Sequence, residues 1–232
     1  MEQYVLFDNL YNTFKDFKLY IQKISISEAT VKEEIIDIPG ADGCLDFSES
    51  LTGDVKFNNR VIRIELLNKK GFNYLQEYSR IQNALHGKRM KVRLSEDLGF
   101  YYIGRVTVKE YVTEDLVKNI AIEIDADAYK YDITASCEDW LWDPFNFEDG
   151  IINETKDLTV NGELTVNIYG RRKLVSPKFV CQNALQCIFE GQTYNFTPGT
   201  NYAPNIQIRE GKNTLKFIGK GTVSIEYRGG SL

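Results

Sequence analysis

The sequence predicts a mainly β protein of two domains: an N-terminal antiparallel sandwich or split barrel carrying one helix, residues 1–128, and a C-terminal β-sandwich, residues 129–232. Three observations carry that prediction. The 14 Tyr and 13 Phe far outnumber the 2 Met and 2 Trp, an excess expected where side chains fill pleated surfaces. Short runs alternating apolar and polar residues, bounded by Gly, Asn, Asp and Pro, recur along the chain. Only one segment has a helical period, and 232 residues suffice for two modest cores.

The first strand is "FKLYIQKISI", where Phe17, Leu19 and Ile21 alternate and the phase then shifts to Ile24 and Ile26, which implies a bulge. A turn at Pro39 to Gly43 leads into "CLDFSES" and then "VIRIELL", whose Ile62, Ile64 and Leu66 face one way and Arg63 and Glu65 the other. "NYLQEYSRIQNALHGK" is the helix: Phe72, Leu75, Tyr78, Ile81 or Gln82, and Leu85 recur at three-to-four spacing, with Gly87 placed as a left-handed cap. It should lie on a sheet. "MKVRL", "FYYIGRVTVKEYV" and "KNIAIEIDADAY" read as further strands. The character changes at the aromatic and acidic "EDWLWDPFNFEDG", which sets the boundary near Tyr129. Beyond it, "KDLTVNGELTVNIYG", "KFVCQNALQCIFEG", "QTYNFTPG", "NIQIREGKNTLKFIG" and "KGTVSIEYRG" read as short strands separated by Gly, Asn and Pro turns, the spacing of a β-sandwich.

A net charge of -5 and a pI near 5.1 remove the field that would gather phosphates, so generic nucleic-acid binding is not expected. The basic runs at Lys88, Arg89, Lys91 and Arg93 and at Arg171, Arg172 and Lys173 read as solvated strand faces or turns. No stretch approaches the roughly 18 apolar residues that would span a bilayer. "MEQYVLFDNLYNTF" has an acidic second residue and no basic start, so a chain made and folded in the cytoplasm is expected. The four cysteines, Cys44, Cys137, Cys181 and Cys187, have no C-x-x-C spacing and read as buried free thiols, not metal ligands. Asn153-Glu154-Thr155 and Asn195-Phe196-Thr197 match a glycosylation triplet too short to carry weight.

The sole histidine, His86, is a general base on a functional reading and a helix-terminal residue on a structural one; no nucleophile motif accompanies it, which favours the second. The acidic stretch Glu138, Asp139, Asp143, Glu148 and Asp149, interleaved with Trp140, Trp142, Phe145 and Phe147, is the best enzyme candidate, because paired carboxylates beside aromatic platforms suit glycan chemistry. The alternative is packing of the aromatics where two domains meet. "GKG" at Gly219 to Gly221 opens no helix and so lacks the amide-lined end that holds phosphate. No catalytic residue, cofactor site or metal site is assigned.

Pro39-Gly40 with Asp42-Gly43, then Leu45-Asp46, Leu51, Gly53 and Asn59-Arg60, resembles the N-terminal signature of siphophage distal tail (Dit) proteins. The helix end "ALHGK", the strand "YYIGRV" and the close "EGKNTLKFIGKGTVSIEYRGGSL" follow in the family's order across nearly the whole chain. The resemblance implies a virion structural protein without enzymatic activity, at the tail tip. It implies a homohexameric ring, single or stacked, and a galectin-like C-terminal sandwich projecting outward. The partners implied are the tail-tube protein, the tail-associated hub or lysin, and a receptor-binding protein, with neither nucleic acid nor membrane. Fold does not carry sugar binding with it. Ring closure repeats a heterologous contact, and the stiff turns between Ile38 and Leu66 can orient it. Leu45, Phe47, Phe57, Asn59 and Arg60 are therefore the candidate ring-interface residues, with Arg60 as an internal ion-pair partner the alternative. The rival function is a virion protein that binds or cleaves carbohydrate through residues 138–149; a monomeric enzyme dependent on His86 is a more distant one.

Overall fold

Apolar residues two apart along extended segments build both cores, and the turns between them fall mainly at Gly, Asn and Asp. The structure, a computed structural model, describes residues 3–68, 73–112, 118–139 and 154–232. The chain divides into two units, one of Met1–Asp97 with Tyr102–Ala128, the other of Leu98–Tyr101 with Tyr129–Leu232.

The strands running through the first unit are β1 (Val5–Phe7), β2 (Tyr11–Asn12), β3 (Tyr20–Ile26), β4 (Ile35–Asp37), β5 (Cys44–Asp46) and β6 (Arg60–Leu67). Helix α1 (Tyr74–Leu85), β7 (Arg89–Leu94), β8 (Phe100–Val112) and β9 (Lys118–Ala126) follow. Seven of the strands pair antiparallel in the order β2-β1-β7-β8-β9-β6-β3. Ile62, Ile64 and Leu66 stand opposite Ile124, Ile122 and Ile120, while Val106 and Val108 flank Ile124 and Ile122 from the other side. All eight are buried, and each contributes about 1.5–3 kcal/mol of apolar burial. The expected bulge is present as a register shift between Ile21 and Lys23. Phe17 and Leu19 are buried but precede the strand; Lys18 between them has φ of +56°, which a strand does not permit.

The helix exists but its buried stripe differs from the expected one. Leu75 is exposed, and Tyr74, Tyr78, Ile81 and Leu85 join the core cluster. Those four sit at i, i+4, i+7 and i+11, one continuous face, and Leu75 lies about 100° around from Tyr74. Phe72 lies outside the described residues. Gly87 ends the helix at φ +77°, as its position required.

The second unit holds β10 (Lys130–Asp132), β11 (Leu158–Gly170), β12 (Lys178–Cys181), β13 (Leu185–Phe189), β14 (Gln192–Phe196), β15 (Gly199–Tyr202), β16 (Gly211–Glu226) and β17 (Gly230–Ser231). The sheet order is β14-β13-β16-β12-β15, with β11 paired to β16 over its whole length. The expected break at "GKG" is absent: Gly211–Glu226 is one strand of 16 residues. Glycine here makes room instead of a turn. A Cβ at Gly219 would stand 2.8 Å from Leu185 Cδ2, and one at Gly221 would stand 2.8 Å from Asn183 Cβ. The β12-to-β13 connection therefore crosses the strand where two side chains are missing. "NIQIREG" forms no strand beyond an isolated bridge between Val175 and Ile208. The sheet folds over its own core, since Phe179 on β12 and Phe196 on β14, not neighbours in the sheet, stack with ring centroids 4.6 Å apart.

Candidate assembly interface

Between β3 and β6 the chain leaves the main sheet as an arm. Its two sides run together from the root: Asn58 N–H donates to Thr30 O at 2.8 Å, Val31 bridges Phe57, and Lys32 N–H donates to Lys56 O at 2.8 Å. Farther out, β4 and β5 form a two-stranded sheet of their own, pairing Ile35 with Asp46, Ile36 with Leu45 and Asp37 with Cys44. The tip turns at Pro39 to Gly43, where Gly40 and Gly43 adopt φ of +86° and +75°. At the return, Ser48 N–H and Oγ both donate to Asp46 Oδ1, holding that carboxyl below its usual range.

Every residue of β4 and β5 is exposed on both faces. Ile35, Ile36, Ile38, Leu45 and Phe47 are all open to solvent, and Leu51 is 97% exposed. An isolated hairpin without a buried face is marginal in water, and contiguous exposed apolar side chains of this kind mark interaction surfaces. The arm is also strongly acidic. Residues 28–54 hold eight Asp or Glu and one lysine, a local charge of −7 against -5 for the whole chain. That charge segregation, interleaved with isoleucines, marks the arm in the sequence independently of its turn residues. Reading the turns alone misses it, and misses β4 with it.

The five candidate interface residues fall at three levels. Leu45 and Phe47 project from the arm. Phe57 is half-buried at its root. Asn59 Nδ2 donates to Asp125 Oδ1 at 3.0 Å within the same unit. Arg60 is only 7% exposed, and its Nε is buried with no hydrogen-bond partner. Among the described residues, no carboxylate forms an ion pair with it.

Other described residues singled out by sequence occupy structural positions. His86 caps the helix; its Nδ1 accepts Val108 N–H at 3.1 Å and its own N–H donates to Gln82 O at 2.9 Å. Glu138 Oε2 accepts Ala135 N–H at 2.6 Å and pairs with Arg228 at 3.3 Å. Trp140, Trp142, Asp143, Phe145, Phe147, Glu148 and Asp149 lie outside the described residues. The outward faces of Arg89 and Lys91 match the solvated-face expectation. Arg171 does not: its side chain is 13% exposed and bound to Asp132, because β10 brings a buried carboxylate under it. The cysteines are free, with Cys181 and Cys187 buried and the Cys187 thiol pushed up to about 12 by burial and then by Cys181. Cys44 is exposed, contrary to expectation, because it sits on the arm.

No protein-family model and no curated protein sequence matches this chain. A solved structure aligns over almost all of it. The Dit protein of SPP1 (gp 19.1), described as a paradigm of the hub adsorption apparatus in phages infecting Gram-positive bacteria, aligns over 98% of this chain and 99% of its own, with TM-score 0.65 and 12% identity. The fold is that of a Dit protein. At that identity the likeness speaks for the Dit-like fold alone, mainly β with antiparallel sheets in both units and, among the described residues, one helix. Among the described residues no helix is long and apolar enough to cross a membrane.

Proposed function

We propose that the chain is a structural, non-enzymatic component of a phage tail tip, and that copies of it close into a sixfold ring through the arm. The observation that carries the reading is a two-stranded extension with six apolar side chains exposed and a local charge of −7. The remaining residues balance at +2, so the arm of one copy and the body of the next are complementary in sign. The outward face of β7, where Arg89, Lys91 and Arg93 alternate with buried Met90, Val92 and Leu94, is a suitable receiving surface, with Arg89 already paired to Asp127 at 2.7 Å in its own unit. Such a contact is heterologous, and repetition closes it into a ring. The Dit-like fold, shared with a phage hub protein, supports the same role. On this reading the ring joins the tail-tube protein to the tail-associated hub or lysin, and can seat a receptor-binding protein.

Mass by light scattering with negative-stain imaging tests the reading. The purified chain is expected to give sixfold rings, single or stacked. Leu45→Asp combined with Phe47→Asp should yield monomers with an unchanged melting temperature, since both side chains are exposed in a single copy. A wild-type chain that stays monomeric at the highest accessible concentration, or rings that survive the double substitution, would overturn it.

A further inference from the structure

A second surface, in the C-terminal unit, is independent of the arm. β14 and β15 lie at opposite ends of the sheet order, yet the fold brings them to the two sides of one open groove of about 480 Å³. Its floor is apolar, formed by buried Phe196 and Ala203. Its walls carry Tyr194, Tyr202, Thr193, Asn195 and Asn205. Tyr202 is 75% exposed, the most exposed aromatic side chain among the described residues. A ring that open contributes little to the core.

The side chains that could bind are available. Thr193 and Asn205 are exposed and enter no side-chain hydrogen bond within the described residues. Asn195 uses only Oδ1, accepting Gln186 Nε2 at 3.1 Å, which leaves its own amide N–H groups for another acceptor. The rim is held in place. Asn201 Oδ1 accepts Thr197 N–H at 2.9 Å, and its Nδ2 donates to Thr197 O at 2.8 Å and Gly199 O at 3.1 Å. These bonds fix the turn that carries Tyr202 and lower the ordering loss on binding.

The residues lining the groove include no Asp, Glu, Lys, Arg or His, and Lys178, directly across from Tyr202 on β12, is already neutralised by its ion pair with Glu226. That composition is poorly suited to phosphate, sialate or metal ions, which need opposite charge to offset desolvation. It suits a neutral ligand with both an apolar face and many hydroxyls: aromatic rings cover the C–H face, and side-chain amides serve as donors and acceptors to the hydroxyls. We infer that this groove binds neutral saccharide, stacked on Tyr202 and hydrogen-bonded by Asn195 and Asn205. The residues that line the groove are not among residues 138–149, and binding there does not require ring formation.

Isothermal titration of the purified full chain with neutral hexose and N-acetylhexosamine oligosaccharides tests it, with sialylated and phosphorylated oligosaccharides as controls. Saturable binding of at least one neutral oligosaccharide is expected. Tyr202→Ala should weaken it tenfold or more without shifting the melting temperature, and Asn205→Ala should weaken it severalfold. No saturable binding across the neutral panel overturns the inference, as does binding indifferent to Tyr202→Ala or confined to the anionic controls. Loss of binding in Tyr202→Ala while rings persist separates this site from the arm.

Discussion

Replacing Arg171 with methionine isolates a buried charge in the C-terminal unit, and the structure sets the size of the effect. Arg171 Nε lies 2.7 and 2.9 Å from the two Asp132 carboxyl oxygens, with the side chains 13% and 20% exposed. The guanidinium also lies 4.9 Å from the centre of the Phe100 ring. Burial raises the Asp132 pKa, and Arg171, Arg228 and Lys130 pull it back down. At an effective dielectric near 20, an ion pair about 4 Å apart is worth roughly 4 kcal/mol, and removing one partner of a buried pair destabilises by about 3–5 kcal/mol. Protonation limits the loss: neutralising a carboxyl of reference pKa 3.8 at pH 7 requires about 4.4 kcal/mol. Arg171→Met is therefore expected to lose about 3 kcal/mol at pH 7. In that variant Asp132 has a folded-state pKa farther above its unfolded value, so the folded state binds more protons and the deficit shrinks as pH falls from 7 toward 5. Urea unfolding at both pH values measures it, and Arg171→Met with Asp132→Asn should recover much of the loss. A deficit below about 1 kcal/mol at pH 7, or one that does not change with pH, would refute the pairing argument.

Two further substitutions probe the first unit. His86→Ala leaves the Val108 amide without its acceptor and should lower stability by about 1 kcal/mol in thermal melts, with ring formation intact; loss of assembly would return His86 to a functional role. Gly104→Ala places a Cβ 2.5 Å from Ile124 Cγ2 and 2.7 Å from Ala126 Cα on the neighbouring strand. Backbone cannot yield there as a flexible side chain would, so a loss of about 1–3 kcal/mol or more is expected in denaturant titration, and a neutral result would show that β8 and β9 can separate locally.

What could be read from the chain alone was whatever depends on local period. The bulge after Ile21 is visible as a phase shift, and the alternation Ile62, Ile64, Leu66 places a whole face in the core. Counting back by two from Ile62 puts Arg60 on that same face, so the alternation alone implies its burial. What escapes are features made by distant segments. Gly219 and Gly221 look like a turn in sequence because glycine most often marks one; only Leu185 and Asn183 lying across the strand reveal their use as clearance. Arg171 reads as solvated because Asp132 is 39 residues away. The groove beside Tyr202 has no local signature, since Thr193 and Asn205 meet only when the sheet folds over.

The composition of the arm follows from the two environments the proposed assembly requires of it. An uncapped two-stranded sheet with Ile35, Ile36, Leu45 and Phe47 exposed is a template for indiscriminate edge pairing, the hazard that charged side chains on edges counter. A local charge of −7 makes two arms repel each other while leaving each attracted to a body of net positive charge. In the proposed assembly, arm-to-arm aggregation and arm-to-body docking are thus separated by sign, and the carboxylates that oppose the first would favour the second. Added salt should weaken both effects, because exposed charges are screened beyond about 8–10 Å at physiological ionic strength. Rings that loosen with salt while the separate units stay folded would follow from that balance; an arm held by apolar contact alone would instead tighten as salt rises.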